Sequence, residues 1–117
     1  MNDITQEDID LGKYILQILK SDTVILMSWG FNSPIVIKMG LRFSVSGFLL
    51  MGSVSVKYNE GSDLFDLTFY TKDMQIRNTL EGIYFDQLVE VIDDQVERVN
   101  NYSDRVNQEY NFLNNEK

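Results

Sequence analysis

The stretch GLRFSVSGFLLMGSVSV, residues 40–56, decides the fold. Alternate positions Leu41, Phe43 and Val45, then Phe48, Leu50, Val54 and Val56, make one apolar set, and Arg42, Ser44, Leu49, Met51, Ser53 and Ser55 make the other. Such alternation is the mark of strands that cover a core with one face only. Ser46-Gly47 in the middle reads as a two-residue hairpin turn, and a turn of that length sets the register. Val45 then faces Phe48, Phe43 faces Leu50, Leu41 faces Gly52, Met39 faces Val54 and Ile37 faces Val56.

Working outward, the same alternation places strands at Thr23–Phe31 and Ile35–Val45, separated by an Asn32-Ser33-Pro34 turn, and at Phe48–Tyr58. With the inner face of the first of these carrying Ile25, Met27, Trp29 and Phe31, the single tryptophan is expected in the core. After the turn NEGSD, a fourth strand runs over Leu64–Thr71 with Phe65, Leu67 and Phe69 inward. If Tyr58 faces Asp63, Phe69 covers the gap left by Gly52. A shorter fifth strand is expected at Met74–Asn78.

Helices flank this meander. Residues 5–20 have Thr5 as N-cap, Asp8 three residues on as its capping-box partner, Ile4 and Ile9 as a hydrophobic staple, and Leu11, Ile15, Leu16, Ile18 and Leu19 at helical spacing. From Phe85 the period changes to a helical stripe of Phe85, Leu88, Ile92, Val96 and Val99. The expected fold is α+β: an N-terminal helix, an antiparallel meander of four to five strands and a C-terminal helix, with both helices on the apolar face of the sheet. Strands buried on one side only exclude a parallel βαβ sheet. Residues 1–100 are expected as one domain. Residues 101–117 form a polar extension, read either as a helical continuation or as a disordered tail, because Phe85, Ile92, Val99, Val106 and Leu113 keep seven-residue intervals through an asparagine-rich segment.

Composition narrows the function. The 117 residues carry a net charge of −8, held mainly at the ends: five acids and two bases in residues 1–22, four and five in 23–80, nine and three in 81–117. Acidity of that kind argues against direct nucleic-acid or anionic-membrane binding, which need clustered Lys and Arg. With no cysteine, no apolar run of membrane length and an acidic N-terminal segment, a cytoplasmic protein is expected. Histidine is absent as well. No Ser–His or Cys–His nucleophile and no phosphate-binding glycine motif can be assembled, so no enzyme, cofactor or metal is expected.

Two surfaces remain. The second face of the sheet, with Leu26 opposite Gly40 and Met51 between Arg42 and Tyr70 and next to Leu49, offers an apolar centre with a polar rim. Together with Tyr102, Val106 and Leu113 on the C-terminal stripe, these residues suggest a non-enzymatic interaction module that pairs with itself, as a homodimer, or docks on a protein partner. The other surface is acidic: Asp86, Glu90, Asp93, Asp94 and Glu97 on the outer side of the last helix. They suggest, as the alternative, an inhibitor that imitates nucleic acid in the groove of a basic DNA- or RNA-binding protein.

Overall fold

The computed structural model describes residues 3–97. The order is α1 (Gln6–Leu19), a 3-10 turn (Lys20–Asp22), α2 (Thr23–Ser28), β1 (Asn32–Ile37), β2 (Gly40–Ser46), β3 (Met51–Asn59), β4 (Leu64–Thr71), β5 (Ile76–Ile83), a 3-10 turn (Phe85–Gln87) and α3 (Leu88–Val96). The five strands form one antiparallel meander in the order β1-β2-β3-β4-β5, and the helices lie over one face of it. Leu41, Phe43, Val45, Val54, Val56, Phe65, Leu67 and Phe69 point into the core. Across from them Ile15 and Leu19 of α1, Leu26 of α2, and Leu88, Ile92 and Val96 of α3 complete it. The spacings i, i+4 and i, i+4, i+8 put each helix's apolar side chains in one row.

Thr5 caps α1 as its sequence requires. The Asp8 amide donates to Thr5 Oγ1 at 3.2 Å, and the Asp8 carboxylate accepts the Thr5 amide at 3.0 Å. Asp8 also reaches across the fold, because its Oδ1 accepts the Met39 amide at 3.0 Å and Lys38 Nζ lies 3.5 Å from its Oδ2. This carboxylate is 1% exposed. The Thr5 and Met39 amides hold its pKa at about 2, below the ordinary value of 3.8, against the opposing pull of burial. One residue thus joins the start of α1 to the β1–β2 turn. Farther along α1, a Cβ on Gly12 would stand 2.9 Å from Val36 Cγ2 and 3.4 Å from the Gly40 carbonyl, so the helix crosses the sheet at near contact there.

Thr23–Phe31 is where the structure departs most from the alternation. Thr23–Ser28 is a short helix, capped by Asp22, whose Oδ1 accepts the Ile25 amide at 3.3 Å. Ile25, Leu26 and Trp29 turn inward at helical spacing, leaving Val24 and Met27 exposed. Trp29 does reach the core, stacked near Phe43 with ring centroids 6.3 Å apart. The expected strand Ile35–Val45 is two strands, folded at Lys38-Met39, where Met39 takes a φ of 61° while giving its amide to Asp8. β4 has the expected bounds, and β5 extends to Ile83.

The hairpin register also differs. Residues 47–50 form the β2–β3 loop, and Val45 meets Gly52 instead of Phe48. The loop is opened by α3: the amides of Leu49 and Leu50 both donate to the Val96 carbonyl, at 2.7 and 3.1 Å, and the Phe48 amide donates to Glu97 Oε1 at 2.7 Å. Phe48 is consequently exposed and Leu50 buried. On the other side Tyr58 pairs with Phe65, so Phe69 lies opposite Val54 and Gly52 opposite Thr71. Both slips are even, and an even slip leaves the residues of β3 and β4 on their expected faces; β1 differs, because the fold at Lys38-Met39 puts Val36 opposite Leu41 and turns Ile35 and Ile37, the latter expected opposite Val56, to the face of Arg42.

Candidate functional site

The sheet face without helices carries the candidate site. Its cross-strand rows are short and polar in the middle: Ile35, Arg42, Ser55, Thr68 and Thr79 in one, Ser44, Ser53, Tyr70 and Ile76 in the next. Ser53 and Ser55 are only 8% and 3% exposed although no helix covers them. Taller neighbours enclose them. Met74, held at φ 63° in the β4–β5 turn, leans back over the face until its sulfur accepts the Ser53 hydroxyl at 3.8 Å. The Met74 amide donates to the Thr71 carbonyl and the Gln75 amide to Thr71 Oγ1, which fixes this turn.

Between Ile35 on one side and Met74 on the other runs a shallow groove of about 500 Å³, with Ser44 and Ser53 on its floor and Met51 at its end. Arg42 and Lys72 line it, and no carboxylate does. Ile35, Met51, Met74 and Ile76 all expose apolar surface on this face. A groove of this kind can take an extended or irregular segment bearing apolar side chains, and its charged lining favours carboxylates over ammonium groups. Among the described residues no group of three or more Asp or Glu stands together to hold a metal ion.

Of the interface residues expected from sequence, the structure brings Arg42 and Met51 into the groove and places Tyr70 on the same face, directly across from Ser53. Arg42 faces Ser55, and Met51 faces Ser46, so the expected Arg42–Met51–Tyr70 row does not form. Leu26 is a correction: it is a buried side chain of α2, because the segment that was to be the first strand is helical. Leu49 is another. It lies half-buried in the β2–β3 loop, where its amide donates to the Val96 carbonyl and its own carbonyl accepts from Arg77 Nη1 at 2.9 Å. Tyr102, Val106 and Leu113, with the question of a helical extension over 101–117, lie outside the described residues.

The acidic helix divides. Asp86, Glu90 and Asp94 are exposed. Asp93, expected on the outer side, is half-buried and accepts the indole N–H of Trp29 at 2.9 Å, and Glu97 accepts the Phe48 amide. Two of the five carboxylates therefore hold the fold together, and the surface they would present to a basic groove is correspondingly thinner. Sequence reasoning missed Ile35, Met74 and Ile76. Ile35 opens the expected strand Ile35–Val45, and the fold at Lys38-Met39 turns it to the face of Arg42, while Met74 has its place on the face through its left-handed backbone, for which its sequence gives no signal.

Comparison with protein-family models, with curated proteins and with solved structures returns no match. No helix among the described residues is long and apolar enough to cross a membrane.

Proposed function

We propose that this protein is a non-enzymatic interaction module that docks a protein partner on the bare face of its sheet. The observation that supports this reading is the groove itself: exposed Ile35, Met51 and Met74 stand around a hydroxyl floor of Ser44 and Ser53, recessed enough to bury Ser53. Exposed apolar side chains scattered singly are ordinary, whereas several around one concavity with a polar, charged lining have the layout of an interface. Arg42 and Lys72 make a segment with apolar and acidic side chains the complementary partner.

Photo-cross-linking tests the proposal. Benzoylphenylalanine placed at Met51 or Met74 should trap the same partner in the native cell, and the same group at Val24 or Met27, exposed on α2, should not. Adding Ile35→Lys to the Met74 probe should abolish the adduct while circular dichroism stays unchanged. Adducts that form equally from Met27, or that survive Ile35→Lys, overturn the groove as the docking site. An adduct only with a second copy of the chain selects self-association in place of a foreign partner.

A further inference from the structure

A second concavity lies at the opposite end of β3, on the side that bears the helices. Tyr14 of α1, Tyr58 at the end of β3, Asp63 in the β3–β4 loop, and Tyr84 and Phe85 after β5 converge on a cleft of about 570 Å³. Tyr14, Tyr84 and Phe85 are each about half exposed, at 47, 58 and 55%. They are three of the four exposed aromatic side chains among the described residues, brought together from two distant segments of the chain. Nothing in the core requires that gathering, since Phe65 at the base of the cleft is already covered by Tyr58, with ring centroids 5.5 Å apart.

We propose that this cleft receives a cationic side chain, the ammonium of lysine or the guanidinium of arginine, carried on a basic segment of a partner protein, with the faces of Tyr14, Tyr84 and Phe85 as walls and the Asp63 carboxylate as counter-charge. Aromatic faces attract cations through their quadrupole, and most strongly where a concave wall removes water. Around the cleft acids outnumber bases, Lys13 before Tyr14 being the base beside it. Its lining holds an acid and no base. Glu7 and Asp10 stand one turn before Leu11 and Tyr14 on the same rows of α1, and Asp86 follows Phe85. The Tyr58 hydroxyl feels this field: its hydrogen bond to Asp63, then burial, then the charges of Asp63 and Glu60 raise its pKa above the ordinary value. The wall that carries Asp63 is preformed, because Asn59 Oδ1 accepts the amides of Gly61 and Ser62 at 2.9 and 3.3 Å and the Asn59 carbonyl accepts that of Asp63 at 2.8 Å. This site is independent of the groove and opposite to it in charge.

Amide chemical shifts of the full ¹⁵N-labelled chain test the assignment, with acetyl-(Lys)4-amide, acetyl-(Gln)4-amide and maltotetraose added in separate titrations. The lysine peptide should give saturable shifts centred on Tyr14, Asp63, Tyr84 and Phe85, and the two neutral probes should not. Phe85→Ala should weaken the lysine peptide about 2- to 30-fold, the range of one cation–aromatic contact. Asp63→Asn keeps an acceptor for Tyr58 and tolerates the left-handed backbone at that position, φ 60°, so it should weaken binding and flatten its salt dependence without touching the fold. Tyr84→Ala serves in place of Phe85→Ala if the latter disturbs the spectrum elsewhere. Equal binding of the glutamine peptide or maltotetraose overturns the proposal. So do lysine-peptide shifts spread over Glu90 and Asp94 that no cleft variant reduces, or no saturable shift at all.

Discussion

Asp93→Ala should destabilise the protein far more than any other neutralisation on α3. The Trp29 side chain is fully buried, and its one polar atom, Nε1, donates to Asp93 Oδ1 at 2.9 Å across a sequence separation of 64 residues. Truncating the carboxylate leaves a buried N–H with no acceptor at that point, and an unsatisfied buried donor costs about 1–3 kcal/mol. A chain of this size shifts its melting temperature by about 4–8 °C per kcal/mol, so the expected loss is about 4–24 °C. Asp93→Asn retains an oxygen in the same place and should recover most of that loss. Glu90→Gln, on the exposed side of the same helix, should stay within about 0.5 kcal/mol of wild type. Urea denaturation followed by Trp29 fluorescence measures all three, and the emission maximum adds a second readout because an unpaired indole that draws in water shifts to the red. If Asp93→Ala and Glu90→Gln have equal midpoints, the indole hydrogen bond contributes nothing and Asp93 belongs to the solvated face after all.

Three further outcomes are expected. Asp8, with its pKa held at about 2, contributes stability that is complete above its unfolded value near 3.8 and is lost as the pH falls through about 2; Asp8→Asn should therefore flatten the decline in urea midpoint between pH 4 and pH 2 relative to wild type. Gly40→Ala should cost more than about 2 kcal/mol, because a Cβ there would stand 1.9 Å from the Val56 carbonyl of the neighbouring strand and backbone must move, whereas Gly61→Ala, whose nearest neighbour is Asn59 Oδ1 at 3.3 Å, should be nearly silent in the same denaturation. Ile35→Lys combined with Met74→Lys should leave the melting temperature within a few degrees, since neither side chain is part of the core, and a large loss would show that the bare face supports the fold.

Much of the architecture can be read from the chain because local and long-range signals agree there. Thr5 and Asp8 specify the start of α1 through their own spacing, and the alternation of Phe65, Leu67 and Phe69 between two turns defines β4 to the residue. Where the reading fails, a tertiary contact has overridden a local preference. Val24 and Ile25 are β-branched and their neighbours are apolar at almost every position, so periodicity alone cannot separate strand from helix. The deciding residue is Asp22, which caps a new helix immediately after the previous one ends. The turn at Lys38-Met39 has no customary turn residue at either position, and it is fixed instead by the buried carboxylate of Asp8, thirty-one residues away.

The same physics explains why the groove was half legible. The face of each strand residue follows from parity, which survives an even slip, so Arg42, Met51 and Tyr70 could be assigned to the bare side without knowing the register. Which of them are neighbours depends on loop length, and loop length here is set by the end of α3: Glu97 Oε1 takes the Phe48 amide and the Val96 carbonyl the Leu50 amide, the two that a two-residue hairpin would have spent on its own ladder. With the loop lengthened, Met51 moves to the rim and the middle of the face passes to Ser53 and Ser55. A hydroxyl floor with taller apolar sides is a recess, whereas the arrangement expected from sequence, with Met51 at the centre, would have been a mound. The distinction bears on function, because a mound presents apolar surface to a flat or concave partner while a recess accepts a side chain. The helix that closes the core on one face thereby determines what kind of partner the other face can take.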